Sequence, residues 1–413
     1  MPQTRELRAS LTQLSKLAIR RELKLIILLD FMMSLGLNLT DSLRPLYVQS
    51  LGATVIEISL VVSITGMAGT LMRVPSGIFS DSRGRRKIIL ASIFMSILPP
   101  IMYTLSSSWQ HLIPWGILYS AAFALYMPSK MAIIADFTTP QNRTRIYSIM
   151  GIAFPLGGTV GPTVAGLIQG TAGWNTTFYV ASILFIICLI PSWLLPKPTE
   201  RDDEHEKEPR VEGSLGLDSP FLSRIFVFVL LHLLIGLAIG TTNNLTQIYL
   251  TEKFGMPTTE VGLFISIGSG LMMILCQIPG GILADRFGRK KLISICFVLE
   301  PFLFVSWTFV NNLYLLLLVQ MGISAFWSMT WPATMSLIME HTPGPKRGVT
   351  AGFVQMGVML GFTLGPLLGG YLWETLGMVF PYLASAVFFA LCLVVTPSIA
   401  RKQLELSKSI LNN

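Results

Sequence analysis

The chain has 413 residues, 52% hydrophobic and only 13% charged, with a formal net charge of +8 and a mean hydropathy of +0.63. Soluble domains carry about 25% charged residues, so half the usual polar coat is missing and the composition argues against a water-soluble enzyme. About 20 apolar residues cross a bilayer at ~1.5 Å per residue, which leaves room for a dozen spans with short loops in a polytopic, all-α membrane protein. The basic excess does not point to nucleic acid. Its residues sit in short patches between apolar runs, not on one face interleaved with aromatics.

Residues 1–24 carry Leu7, Leu11, Leu14 and Ala18 at helical spacing among Arg5, Arg8, Lys16, Arg20 and Arg21. This pattern fits an amphipathic segment on an anionic inner leaflet, or a frayed tail. Twelve apolar segments follow, at 25–48, 56–79, 87–107, 110–135, 145–168, 175–195, 222–250, 260–283, 292–311, 313–339, 348–372 and 378–397. A polar stretch, 196–219, separates bundles 25–195 and 220–398; its Asp202, Asp203, Glu204, Glu206 and Glu208 give it the composition of a disordered linker. A tail, 399–413, follows the last span. With loops assigned to alternating sides, 26 of the 30 Lys and Arg fall on one side. Both termini are therefore expected in the cytoplasm, on a multi-pass protein of the cell membrane. The four cysteines lie inside apolar runs without C-x-x-C spacing and read as packing residues.

The second bundle repeats the first. Pro75-Ser-Gly-Ile-Phe-Ser-Asp-Ser-Arg-Gly-Arg-Arg-Lys returns as Pro279-Gly-Gly-Ile-Leu-Ala-Asp-Arg-Phe-Gly-Arg-Lys-Lys, so that Asp81 matches Asp285 at an offset of 204. The same offset carries Pro128 to Pro332, Asp136 to Glu340, Arg143 to Arg347, Gly161-Pro162 to Gly365-Pro366 and Gly173 to Gly377. One constant shift marks a duplicated six-span unit. An even number of spans keeps both copies in the same orientation, related by an axis along the membrane normal.

The motif G-x-x-x-D-x-x-G-R-[RK]-[RK] after spans two and eight, with six plus six spans and an acidic central linker, resembles the major facilitator superfamily over nearly the whole chain. The resemblance implies twelve transmembrane helices in two six-helix pseudo-symmetric halves, which rock to carry a small molecule by alternating access. No enzymatic activity and no cofactor are expected, and the carrier is expected to act as a monomer in the lipid bilayer. The resemblance further implies a cytoplasmic latch. Asp81 meets a helix end of the other half, an attraction of about 0.3–1 kcal/mol, and Arg85 reaches Asp136, while Gly77 and Gly84 allow close approach and a sharp turn. Gly281, Asp285, Gly288, Arg289 and Glu340 repeat the arrangement. The other reading is that these charges only anchor topology. Span five carries Gly157, Gly161, Pro162 and Gly166, which resemble the pattern associated with proton-coupled drug antiporters, and span eleven carries a fuller copy, Gly361, Gly365, Pro366, Gly369 and Gly370. Such a glycine face permits close packing and a bend. The Arg that the antiporter pattern places in span four is Gly116 here.

Charges inside spans are costly and are functional candidates. Asp30 lies ~9 Å inside span one, and Arg73 and Lys130 reach a similar depth in spans two and four. Asp30 is expected to pair with Arg73 or Lys130. The cation left over is then free to meet an anionic substrate or to respond to protonation of Asp30; otherwise the group is a structural ion pair with a snorkelling Lys. Asp41 and Arg44, three residues apart, suit one helix face. Spans one, four, seven and ten line the cavity in the superfamily, so the resemblance makes Asn38, Asp41, Asn243, Asn244, Trp327 and Trp331 wall candidates. His232 is either a proton carrier or an imidazole bonded to a backbone carbonyl. Glu300, in span nine, has no evident partner and is expected neutral or near an interface. No phosphate-binding G-x-x-x-x-G-K-[ST] occurs, which points to an ion or substrate gradient as the energy source. The resulting expectation is export of a small, partly apolar compound in exchange for protons. The alternatives are proton-coupled uptake of a small metabolite or organic anion, with Lys130 and Arg73 as its cation site, and a non-transporting receptor on the same scaffold.

Overall fold

The computed structural model describes residues 21–136, 140–195, 219–340, 342 and 346–411. Almost all of the expected amphipathic segment 1–24 and of the linker 196–219 lies outside the described residues. The first pass is α1 (Arg21–Asp41) followed, after a break at Ser42–Leu43, by α2 (Arg44–Ser50). Pro45 stands in the first turn of α2, where its missing N–H costs nothing. Next come α3 (Val55–Arg83), α4 (Arg85–Thr104), α5 (Leu112–Asp136) and α6 (Pro140–Trp193). The second half runs α7 (Ser219–Asn243), α8 (Thr246–Phe254), α9 (Thr258–Ile265), a π-helical turn (Ser266–Leu271) and α10 (Met272–Phe287). It ends with α11 (Arg289–Phe309), α12 (Leu313–Glu340), α13 (Arg347–Leu376) and α14 (Phe380–Leu411). No strand occurs among the described residues.

Local chemistry sets the boundaries. Thr54 caps α3 in a reciprocal box, its side chain accepting from Glu57 N while Glu57 Oε2 accepts from Thr54 N at 2.8 Å. The α3–α4 and α10–α11 connections are single residues, Gly84 with φ +87° and Gly288 with φ +90°. An L side chain there would meet a backbone conformation costing about 1–2 kcal/mol, so the basic motif keeps glycine in both copies.

The long helix α6 holds two passes. Gly173 interrupts it with φ +80°, as Gly377 separates α13 from α14 with φ +114°. Before the break, Gly157 packs on Phe31–Leu35 of α1 and Gly161 on Asn38. After it, Phe178 packs on Tyr47 with ring centroids 4.7 Å apart, and Phe185 lies against Gly36. The chain thus climbs α1, turns at Gly173 and descends it. By length and composition ten described helices suffice to cross a membrane, against the twelve expected. The 43-residue stretch Gly151–Trp193 counts once in that ten although it doubles back, and Phe380–Thr396 is a shorter apolar helix. The boundary expected between span and tail at 398/399 is not a helix end, because α14 continues to Leu411.

The halves share a core at one end only. A single buried cluster runs from Leu39, Tyr47 and Ile58 of the first half to Leu245, Tyr249 and Val261 of the second. In the second half that cluster continues as far as Ala284 and Leu292 beside the basic loop, whereas the first half's residues toward its own basic loops form a separate cluster around Ile26, Ile93 and Ile133, and a small third one gathers Phe228, Ile338 and Val354. At the shared end small residues bring backbones together. A Cβ on Gly166 would stand 3.1 Å from Thr259 Cα, and one on Gly370 would stand 3.0 Å from Ile56 Cα. Hydrogen bonds follow: Thr163 Oγ1 to Ser266 Oγ at 2.7 Å, Gln247 Nε2 to Ser42 O at 3.1 Å, Ile56 N to Glu374 Oε1 at 2.9 Å and Gln49 Nε2 to Glu252 Oε1 at 2.9 Å. Toward the basic end, Gly151, Gly281, Gly348 and Gly352 have nothing within 4 Å of where a Cβ would stand.

These contacts predict opposite outcomes for two substitutions in α13. A Cβ on Gly361 would stand 2.5 Å from the Gly236 carbonyl carbon, so Gly361→Ala should cost about 1–3 kcal/mol through overpacking and lower the melting temperature in detergent. Gly352→Ala, with open space around it, should be neutral or stabilising by up to ~1 kcal/mol. Equal melting temperatures for the two variants would contradict the packing.

Candidate functional site

Where the halves part, they enclose a cavity of about 340 Å³. Its walls come from α1 (Leu37, Asn38, Asp41), α3 (Gly66, Gly69, Thr70, Arg73), α5 (Tyr119, Ser120, Phe123, Ala124), α6 (Phe154) and α13 (Met359, Phe362, Thr363). A small-molecule site typically has this make-up, mainly apolar and aromatic with a few convergent polar groups. Gly69 brings the α3 backbone against Ser120, whose Cβ would lie 3.2 Å from an added methyl. Arg73 lies one helical turn further on along α3.

The buried charges partition in one way. Lys130 Nζ donates to Asp30 Oδ1 at 2.8 Å, with side chains 6% and 0% exposed. Tyr126 Oη donates to the same oxygen at 3.2 Å. The ammonium also lies 5.2 Å from the centre of the Phe154 ring, whose side chain belongs to the cavity wall. Asp30 Oδ2 is buried without a hydrogen-bond partner. Of the two pairings open in the sequence, Asp30 therefore takes Lys130, and Arg73 stands exposed in the cavity wall. No ion pair with Arg73 is present among the described residues. Asp41 and Arg44 pair at 3.0 Å. Asn38 Nδ2 donates to Ser34 O at 2.8 Å, which fixes the amide's orientation on the wall.

The other wall candidates sit elsewhere. Asn243 is exposed, and Asn244 is buried in the contact between the halves, its Nδ2 3.5 Å from Ser59 Oγ. Trp327 backs the wall, edge-on to Phe362 at 6.4 Å. Trp331 lies against Trp327 with ring centroids 5.5 Å apart and planes tilted by 37°, and meets the His232 ring at 5.9 Å. His232 Nδ1 bonds to Phe228 O at 2.9 Å, the structural option of the two open in the sequence. Glu300 is 1% exposed, remote from the cavity in α11, and its Oε2 has no partner. The lining of the described cavity comes from the second, fifth and eleventh passes besides the first and fourth, and the candidates of the seventh and tenth passes are not in it. Sequence reading missed Tyr119, Phe123, Phe154 and Phe362. They sit in uniformly apolar runs, where nothing distinguishes a wall aromatic from a core one.

The motif residues divide likewise. Gly77, Asp81 and Asp136 lie outside the residues whose side chains are described. Arg85 Nη1 donates to Ala132 O at 3.1 Å, one turn before Asp136. In the second copy Arg289 joins Asp285 at 3.4 Å and also Glu340, all within one half. Gly288 makes the turn, and Gly281 faces open space. In the glycine patterns, Gly157 and Gly161 press on α1, whereas Pro162 and Gly166 meet Gly262 and Thr258 of the other half. Gly361, Gly365 and Gly369 press on Gly236, Gly240 and Thr241 of α7, while Gly370 crosses to Ser59; Pro366 is buried between them. No group of three or more potential metal-ligating side chains occurs among the described residues.

Two helical bundles that share one cavity, joined over it at one end and parted at the other, define a multi-pass membrane transport protein. The Major Facilitator Superfamily model matches residues 26–276 and again 228–408, and the chain belongs to that superfamily, whose members are transporters and not enzymes. An uncharacterized MFS-type transporter of Methanocaldococcus jannaschii is 26% identical over 87% of this chain and 92% of its own. Multidrug resistance protein 2 of Bacillus subtilis is 22% identical over 86% of this chain and 88% of its own. Among solved structures, a bacterial homolog of the human lysosomal transporter Spinster, inward-facing and occupied, superposes with a TM-score of 0.78 at 14% identity, covering 93% of this chain and 97% of that one.

The Asp30–Lys130 pair yields a stability prediction. Removing one partner of a buried ion pair leaves an uncompensated charge and costs about 3–5 kcal/mol, so Asp30→Asn and Lys130→Met should each lower thermal stability markedly. The double variant should lose less than the sum of the two. Strictly additive losses would show that the two side chains do not act on one another.

Proposed function

We propose that this chain is a secondary active carrier that exports small, partly apolar compounds by alternating access, in exchange for protons. The observation that carries this reading is the cavity built from both halves, sealed on one side by backbone-close packing. A solute held there changes compartment when the seal opens and the basic ends meet. The Lys and Arg distribution puts the parted end in the cytoplasm, with both termini, so cargo loads from inside the cell membrane. The aromatic lining suits apolar cargo, and the likeness to a multidrug resistance protein supports export. The carrier works as a monomer, since one chain supplies the whole cavity.

Asp30 is the coupling residue in this scheme. Its carboxylate neutralises Lys130 beside the wall aromatic Phe154, and taking up a proton would release the ammonium and loosen α1 from α5. Arg289, bound to Asp285 and Glu340, holds the second basic motif in shape until the cytoplasmic ends close and the acidic residues engage the opposite half. By resemblance Arg85, which donates to Ala132 O one turn before Asp136, has the corresponding place in the first half.

Two measurements test the scheme. A Thr163→Cys/Ser266→Cys pair, introduced where the two hydroxyls lie 2.7 Å apart, should cross-link on oxidation, reduce proteoliposome flux to background, and recover on reduction. Full flux in the cross-linked carrier would exclude rocking about this contact. Separately, Asp30→Asn should abolish the dependence of export on an imposed pH gradient; unchanged dependence would remove Asp30 from coupling.

A further inference from the structure

We infer that the compound carried is an organic anion with an aromatic or otherwise flat apolar body, its negative group held by Arg73. The inference rests on the carrier reading above and specifies the cargo of the same cavity. Its basis is the charge balance of the wall. Asp41 also lines the cavity but is neutralised by Arg44 at 3.0 Å. Lys130, the other cation at this depth, is committed to Asp30 at 2.8 Å and is screened from the cavity by the Phe154 ring. Arg73 is exposed, lines the cavity and has no ion-pair partner among the described residues. An unpaired guanidinium on a membrane-spanning helix is stable only where water or an anion meets it, so among the described residues the cavity carries one uncompensated positive charge.

The position of that charge defines an orientation. Arg73 lies seven residues beyond Gly66 along α3, about 10 Å nearer the parted end. Gly66 approaches Thr363 of the opposite half, and the rings of Tyr119, Phe123 and Phe362 line the space between. A ligand fits with its apolar body toward the sealed end, among the rings, and its anionic group toward the opening. The planar fork of Arg suits carboxylate, sulfonate or phosphate, which it binds bidentately. A cationic amphipath of the same shape would be repelled by Arg73 and would find Asp41 already paired.

Matched probes decide the point. The full-length protein is placed in nanodiscs of phosphatidylcholine, so that no anionic lipid competes, and calorimetric titration compares 1-naphthoate, 1-naphthamide and 1-naphthylmethylammonium. Naphthoate should bind at least about tenfold more tightly than the amide, a difference of ~1.4 kcal/mol, and the ammonium should bind more weakly still. Arg73→Gln should bring naphthoate to within about twofold of the amide while leaving the amide's own affinity unchanged. Arg73→Lys, which keeps the charge but loses the fork, should fall between. A preference unaltered in Arg73→Gln, an amide or ammonium bound as tightly as naphthoate, or no naphthoate binding at millimolar concentration would each overturn the assignment. Proteoliposomes separate this from the carrier reading. Naphthoate that binds in an Arg73-dependent way yet never crosses the bilayer would leave the anion site standing and remove the transport function.

Discussion

In a bilayer, apolar side chains gain little by leaving lipid for one another, so two bundles are held together by van der Waals fit and by hydrogen bonds. In this chain the fit is concentrated at one end. Gly166, Gly262 and Gly370 let backbones of opposite halves touch, and Thr163, Ser266, Ser42 and Gln247 tie them with hydrogen bonds across the same contact. Everything else in the architecture follows from that asymmetry. The buried core is continuous between the halves there, while toward its basic loops the first half keeps a core of its own, and the cavity exists because the halves touch above it and not below.

The second constraint is charge. Four ionisable side chains lie in the first two passes and the fourth at or near the cavity level, besides Arg44, and the structure disposes of each differently. Asp30 and Lys130 neutralise one another out of contact with solvent, and Asp41 is held by Arg44 across the break between α1 and α2. Arg73 is left facing the cavity. Phe154 connects the two environments, since one side chain both lines the cavity and covers the Lys130 ammonium. A change in the buried pair therefore bears directly on a residue of the cavity wall.

The two halves are copies in sequence but not in use. The glycine pattern of α6 serves α1 with its first residues and the opposite half with its last. The fuller pattern in α13 is spent mainly on α7, inside its own half, where Gly236 and Gly240 meet it backbone to backbone. Both copies of the basic motif keep a left-handed glycine at the helix turn. The second half has an acidic carboxyl at 1% exposure, Glu300, which does not line the cavity between the halves. Duplication thus preserved the turns and the helix order, while the contacts between bundles diverged.

Hydropathy, the 204-residue repeat and the Lys and Arg pattern were enough to determine an all-helical membrane carrier of two halves, because helix length, depth and turn chemistry are local properties. The single-residue turns at Gly84 and Gly288 and the Asp41–Arg44 pair belong to the same class, each depending on neighbours within four residues. Tertiary structure alone decided that Lys130, and not Arg73, takes Asp30, and that Asn244 seals an interface instead of lining a cavity. It alone placed Tyr119, Phe123, Phe154 and Phe362 around the solute space. Periodicity states which face and level of a helix a side chain occupies, but the identity of the helix opposite is set by packing between segments a hundred or more residues apart.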